Sequence, residues 1–248
     1  MLVIRSILFN VLFYLNTLVH SIATVFTLLL PRRCVLLVSK SWAHVSLWLL
    51  KPVCGIDVEW RGLDKIPPGP LLVACKHQSV WETFVLLTLV HDPAFIVKRE
   101  LIWIPLFGWA MWRGGMIPIN RGAGSAALTA MTERAYNELR RGQGRQIIIF
   151  PEGTRRPAGA EPKYKYGIAH LYGACNVPCV PIALNSGLFW PRRSFLRYPG
   201  TVVLEVLDPI PPGLDPDEFF KRLKSDLESA TAKLVEEGRR ELAAKGLG

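Results

Sequence analysis

Residues 2–30 are apolar almost without interruption, and Arg5 is the one full charge among them. As a helix rising ~1.5 Å per residue, this stretch is long enough to cover the ~30 Å hydrocarbon layer of a bilayer. It does not read as a secretory signal, because the apolar run exceeds the length of a signal core and no Ala-x-Ala cleavage site follows it. Set at 100° per residue, Asn10, Thr17, Ser21 and Thr24 fall on one side and give the helix a thin polar stripe. A membrane span and a hairpin lying in one leaflet both fit.

Pro31-Arg32-Arg33 breaks this helix, and a second apolar stretch continues to about Leu50. In it Arg33, Lys40, His44 and Lys51 follow spacings of seven, four and seven, which stacks them on one narrow face. That is the pattern of an interfacial helix, with basic side chains reaching lipid phosphates. Leu36, Leu37, Trp42, Leu47, Leu49 and Leu50 would then lie in the acyl boundary or on the body. A buried domain helix with a solvated stripe is the alternative. Residues 1–54 are thus expected to form a membrane-associated helical segment of two helices.

The rest of the chain is different in texture. Half of the 248 residues are hydrophobic and mean hydropathy is +0.24, yet 20% are charged, too many for a polytopic membrane protein. A net charge of +10 suits an anionic partner: nucleic acid, a phospholipid surface or a phosphorylated substrate. The five cysteines are odd in number and scattered, so a disulfide framework is not expected. Cys175 and Cys179 lack a second pair or a nearby His, which favours core packing over a metal site.

Within residues 55–248, short β-rich runs at 58–61, 71–75, 94–97, 116–119, 146–150, 179–184 and 202–206 alternate with helical patterns, notably at 80–90 and 125–141. Alternation of this kind predicts an α/β domain: a mixed, largely parallel sheet flanked by helices, with function at strand ends. Phe220, Leu223, Leu227, Ala230 and Leu234 recur at spacings of three and four, which predicts a docking helix over 217–242.

Two polar turns stand at the ends of apolar strands. In the first, Lys76-His77-Gln78-Ser79-Val80-Trp81-Glu82 leads into a helix. An imidazole there can take a proton near neutral pH if a carboxylate holds its other nitrogen, and a five-residue spacing across a turn lets His77 and Glu82 converge. A His that caps the helix and a Glu that favours its amino end explain the same residues equally well. In the second, Phe150-Pro151-Glu152-Gly153-Thr154-Arg155-Arg156 offers a glycine, a hydroxyl and two guanidinium groups, whose planar forks suit a phosphate. Lys98-Arg99 and Asn120-Arg121 add cations at other strand ends.

Taken in order, H-x4-E at 77–82, Asn-Arg at 120–121, F-P-E-G-T-R at 150–155 and the Val180-Pro181-Ile182 strand resemble the glycerolipid acyltransferase family. The resemblance spans roughly 56–207 and leads one to expect the apolar amino-terminal helices as well. The family's usual Asp is Glu82 here, one methylene longer. The resemblance implies that His77 is the general base and Glu82 its orienting partner. It further implies that Asn120, Arg121, Glu152, Gly153, Thr154 and Arg155 bind a glycerol phosphate, with Lys98 as an additional phosphate ligand. The implied reaction moves a fatty acyl group from a coenzyme A or acyl carrier protein thioester to the sn-2 hydroxyl of lysophosphatidic acid, giving phosphatidic acid, with another lysophospholipid as the alternative acceptor. The thioester serves as co-substrate, and no further cofactor or metal is expected. Glu82→Asp should then keep much of the activity and Glu82→Gln little of it.

Competing classes have less behind them. The G-x-S-x-G elbow of a lipid-processing serine hydrolase is absent from the sequence. Gly122, Gly124 and Ala127 fit a dinucleotide fingerprint, but no acidic residue follows about twenty positions on at a second strand end. A basic peripheral membrane or nucleic-acid-binding protein would have no use for His77 or Glu82, and nucleic acid is not an expected partner. Arg32, Arg33 and the thioester donors favour the cytoplasmic face of the inner membrane.

Overall fold

The computed structural model describes all residues except 121, 123, 142, 143 and 248. Helices α1 (Leu2–Thr27) and α2 (Arg32–Leu49) come first, and α2 runs on through a π-turn (Leu50–Cys54) that takes in Pro52. There follow β1 (Ile56–Arg61), β2 (Leu71–Cys75), α3 (Trp81–Leu89), β3 (Pro93–Lys98), α4 (Phe107–Arg113), β4 (Ile117–Ile119) and α5 (Gly124–Leu139). The chain ends with β5 (Gln146–Ile149), α6 (Gly167–Cys175), β6 (Cys179–Leu184), α7 (Ser186–Phe189), β7 (Gly200–Val206) and α8 (Pro216–Ala244).

All seven expected strands are present, in one sheet of order β1-β7-β6-β2-β5-β3-β4. Every neighbouring pair is parallel except β6 and β7. The sheet is therefore mixed and mostly parallel, with helices on both faces. Strands β2, β5 and β6 are buried at every residue, as their unbroken apolar runs require of strands covered on two sides. Along β2 the side chains alternate: Val73 and Cys75 join Phe84 of α3 and Phe9 of α1, whereas Leu72 and Ala74 join Met131 of α5 and Phe219 of α8. Helices α4, α6 and α7 were not anticipated; each is nine residues or fewer and carries glycine, so its periodic signal is weak.

Helix α1 is amphipathic in the reverse of the usual sense. Ser6, Asn16 and Thr24 are buried beside Phe9, while Ile4, Leu8, Val11, Leu15, Leu18, Ile22 and Phe26 are exposed. Its polar stripe faces the protein: Arg197 Nη2 donates to Asn10 Oδ1 at 2.9 Å and Trp42 Nε1 to Thr17 Oγ1 at 3.0 Å, while Asn16, off the stripe, donates through Nδ2 to Trp42 O at 3.1 Å and Ser46 Oγ at 3.0 Å. Among the described helices α1 alone is long and apolar enough to cross a membrane. Aromatic rings lock both amino-terminal helices to the body, with Trp42 edge-on to Phe84 at 4.8 Å and Phe9 edge-on to Trp190 at 5.2 Å between centroids.

The basic face of α2 is divided, against expectation. Lys40 Nζ donates to Val90 O at 3.0 Å and His91 O at 2.9 Å, so it closes the carboxyl end of α3. Lys51 pairs with Asp57 at 2.7 Å but stays exposed, as do Arg33 and His44. One member of the stripe, Lys40, is therefore spent on the protein where α2 packs against α3, and the other three face outward.

Arg32, at the first turn of α2, makes a two-pronged ion pair with Asp92, and the buried Arg145 Nε reaches the same carboxylate at 3.3 Å. Burial pushes the Asp92 carboxyl up, but the hydrogen bonds and charges of Arg32 and Arg145 outweigh it and hold the group below the usual carboxylate range. A depressed carboxyl gives stability that is present above its unfolded pKa and lost as pH falls through the lower folded value. Asp92→Asn should therefore cost about 1–2 kcal/mol near neutral pH, the exposed share of the pair being screened. Melting curves should show that difference shrinking in acid below the usual carboxylate range; a constant gap would refute the linkage.

Candidate active site

Strands β2 and β5 lie side by side with Ala74 opposite Ile149, so the turns that follow them leave the sheet together. The two turns are then bonded into one unit. His77 N donates to Glu152 Oε2 at 2.7 Å, and Arg156 N donates to His77 O at 2.7 Å. Lys76, only 4% exposed, donates to Glu152 Oε1 and to Glu228 Oε1 of α8, both at 2.7 Å. Tyr164 completes the cluster by donating to Glu228 Oε1 at 2.6 Å. Burial pushes the Glu152 carboxyl up, and the Lys76 ammonium works against that rise.

Glu82, in the first turn of α3 and fully buried, organises the other side of the turn. Its Oε1 accepts from His77 Nδ1 at 2.9 Å, Gln78 N at 2.7 Å and Ser79 N at 2.7 Å, and its Oε2 accepts from Ser186 Oγ at 2.8 Å. The bond back to Ser79 N is that of a capping box, in which a Glu three residues on satisfies a free amide at the helix start. Capping and holding the histidine are therefore the same act, not rival explanations of Glu82. With Nδ1 engaged as donor, His77 stacks on Phe150 at 3.9 Å and 15°. Its Nε2 has no protein partner among the described residues and is left for the cavity that His77 lines.

That cavity holds about 810 Å³, the size of a site for a large ligand. Phe84, Phe95 and Met131 give it apolar walls, and it extends to Thr24 of α1 and Val38 of α2. Its polar end is the 152–155 turn. Gly153 has a φ of +69°, a conformation that costs glycine nothing and lets the turn double back toward Lys165. Thr154 and Arg155 are exposed on the cavity, and Lys98, paired with Glu100 at 3.2 Å, stands at its edge.

Of the other candidates from the sequence, Glu152 lines the cavity and Asn120 does not. Both carboxylate oxygens of Glu152 are taken up by Lys76 and the His77 amide, so this residue braces the turn. Asn120 is exposed, turns its Oδ1 onto Gly122 N at 3.2 Å and does not line the cavity; Arg121 lies outside the described residues. Sequence reasoning passed over two lysines. Lys165 lines the polar end of the cavity, and its amide donates to Pro151 O at 2.8 Å. Its signal was the Lys163-Tyr164-Lys165 run just after the glycine turn. Lys76 lay in plain view beside His77, but only the fold brings Glu228 to it from 152 positions away.

This arrangement supports acid–base transfer on a bound substrate. The nearest thiol, Cys75, is fully buried, and burial, with the Glu82 and Glu152 charges adding to it, pushes it well above the ordinary range, so it is no nucleophile. A histidine oriented by a carboxylate at the head of an apolar cavity, on a mixed α/β sheet, is the arrangement of an acid–base centre with room for a long apolar substrate.

Comparison with known proteins narrows the class. Residues 57–185 match the family model Acyltransferase, and the chain belongs to that family. It is 36% identical over 201 residues to a Pseudomonas aeruginosa protein, 1-acyl-sn-glycerol-3-phosphate acyltransferase, a match that covers 80% of this chain and 77% of that one. It is also 35% identical over 173 residues to human 1-acyl-sn-glycerol-3-phosphate acyltransferase alpha, covering 68% of this chain and 60% of the human one. Among solved structures, the 1-acyl-sn-glycerophosphate acyltransferase PlsC from Thermotoga maritima has the same fold, with a TM-score of 0.75 over 94% of this chain and 99% of that one at 24% identity.

The geometry revises the expectation for Glu82. Its Oε1 meets three donors at 2.7–2.9 Å while Oε2 holds Ser186, a reach that an aspartate from the same backbone position cannot reproduce in full. Glu82→Gln keeps the length and loses the charge, so it should lower the turnover of acyl transfer by on the order of 10²–10⁴ with little change in KM. Glu82→Asp should lose about tenfold or more through misplacement of the imidazole. Wild-type turnover in Glu82→Gln would overturn this role.

Proposed function

We propose that the protein transfers a fatty acyl group from an acyl thioester to the sn-2 hydroxyl of lysophosphatidic acid, giving phosphatidic acid. The observation that carries this is His77, whose Nδ1 is bound to a buried carboxylate while Nε2 is left for an apolar cavity with cations at its polar end. The names of the Pseudomonas and human relatives supply the acceptor.

In the reaction, Nε2 takes the proton of the sn-2 hydroxyl as its oxygen attacks the thioester carbonyl. The C–O bond forms, the tetrahedral centre collapses, the C–S bond breaks, and the departing sulfur takes the proton back from the imidazolium. Glu82 stabilises that transient cation across the 2.9 Å bond to Nδ1. The donor, coenzyme A or acyl carrier protein, is a co-substrate, and the scheme needs no further cofactor. Thr154, Arg155 and Lys165 line the polar end where a phosphate would sit, with Lys98 at the edge. The apolar walls take the acyl chains.

The lysophosphatidate acceptor and the phosphatidic acid product are bilayer lipids, and α1 accounts for how the site would meet them. Its exposed apolar face would lie in the cytoplasmic leaflet of the inner membrane. Its other face is bonded to the body at both ends, by Arg5 Nε to Val53 O at 2.7 Å and by Arg113 Nε to Leu28 O at 3.0 Å. A helix held along its length in this way favours lying in one leaflet over crossing the membrane, since crossing would take the body with it.

Purified protein given labelled acyl-CoA or acyl carrier protein and a panel of lysophospholipids should acylate lysophosphatidate most efficiently. Preference for a zwitterionic acceptor would overturn that assignment. His77→Ala should lose at least about 10²–10⁴-fold of the transfer rate while still binding lipid vesicles. Lys165→Ala should raise the acceptor KM by about tenfold and leave kcat nearly unchanged. An unchanged KM would place the phosphate elsewhere.

A further inference from the structure

Between β3 and β4 the chain makes a compact hairpin: a 3-10 turn (Arg99–Trp103), Ile104 to Leu106, and then α4. It is tightly built. A Cβ at Gly108 would come within 2.0 Å of Ile102 O, and Gly108 N donates to Ile104 O at 2.7 Å. Leu101, Ile102 and Met111 pack into the core, yet Trp103 (72%), Ile104, Phe107, Trp109 and Trp112 (73%) are exposed. Three tryptophans within ten residues, turned outward on a rigid support, make a contiguous apolar patch that a soluble protein does not ordinarily leave open.

We infer that this hairpin is a second membrane-contacting element that inserts its tryptophans at the lipid interface and, with α1, forms the rim through which acyl chains reach the cavity. The inference rests on the bilayer placement proposed above. The patch is continuous with the exposed face of α1: Arg113, at the end of α4, donates through Nε to Leu28 O at 3.0 Å and through Nη2 to Leu30 O at 2.5 Å. Next to those carbonyls, Phe26 and Leu29 (97%) are exposed. The cavity wall itself passes from Ser21 and Thr24 of α1 to Leu106, Phe107 and Ala110 of the hairpin. The composition suits the interface, where indole rings place an apolar body in the acyl boundary and an N–H among the head groups. Exposed Arg99 and Arg33 supply cations beside it for anionic phosphates.

The test separates this surface from the chemistry. The emission of the wild type minus that of W103F/W109F/W112F reports the three tryptophans. With vesicles of phosphatidylcholine and phosphatidylglycerol brominated near the head group, more than about half of that difference signal should be quenched, and it should become shielded from aqueous iodide. A difference signal that stays open to iodide and untouched by the brominated lipid would overturn the inference. So would shielding that appears without vesicles as protein concentration rises, because a second copy would then cover the patch. Neither Trp103 nor Trp112 lines the cavity. W103S/W112S should therefore lower transfer to vesicle-held lysophosphatidate by about five- to tenfold while keeping transfer to a short-chain, water-soluble acceptor within about twofold. Equal losses on both acceptors would count against a membrane role. If the wild type transferred to neither, the proposed reaction would fail while the quenching still decided this surface.

Discussion

The site depends on two buried carboxylates that satisfy one turn from opposite sides. Glu152 reaches it from the end of β5 and takes the His77 amide at 2.7 Å; Glu82 reaches back from α3 and takes the amides of Gln78 and Ser79, also at 2.7 Å. A turn with three consecutive amides bound to carboxylate oxygens has little freedom left, and His77 inherits that rigidity. Burying such charges is expensive in itself, several kcal/mol for each ion unless donors surround it. Glu82 meets the cost with four hydrogen-bond donors and no lysine or arginine, and Glu152 meets it with one amide and Lys76. The Lys76 ammonium in turn reaches Glu228, which ties the catalytic turn to the carboxy-terminal helix.

Much of this was legible in the sequence, and the physical reason differs from element to element. The central strands β2, β5 and β6 could be found because covering on both faces demands unbroken apolar runs such as Ile147-Ile148-Ile149. The pairing of His77 with Glu82 could be suspected because both lie within one turn, and local chemistry shows in local sequence. Lys76, Glu228 and Ser186 could not be placed, since they meet only through the fold, across separations of 104 and 152 residues. The role of Glu152 was obscured for a related reason: a strand-end carboxylate beside Gly153 and Arg155 reads as part of a binding loop until its partners are known.

The amino-terminal helices show how far spacing can be read: three of the four basic residues of α2 face outward, and Lys40 does not. The basic stripe of α2 has the spacing of an interfacial face, but spacing does not say what lies opposite. Lys40 faces the carbonyls at the end of α3, which offer an ammonium a better partner than solvated phosphate. The thin polar stripe of α1, by contrast, carried real information. The polar residues of this helix mark the side that meets the protein: Asn10 accepts from Arg197, Thr17 accepts from Trp42, and Thr24 is buried.

The inversion of α1 also explains why the catalytic cavity can be both apolar and accessible. A soluble enzyme with a cavity of about 810 Å³ walled by Phe84, Phe95 and Met131 would need a lid to keep water from it. On the proposed bilayer placement, α1 and α4, both of which line the cavity, have apolar outer faces, so lipid would provide the closure that a lid would otherwise provide. The polar chemistry then has to sit at the end farther from lipid, where Thr154, Arg155 and Lys165 can hold a charged head group in water. His77, stacked on Phe150, lines the cavity between that end and the apolar walls, which is where the proposed reaction would need a glycerol hydroxyl whose phosphate is wet and whose chain is dry.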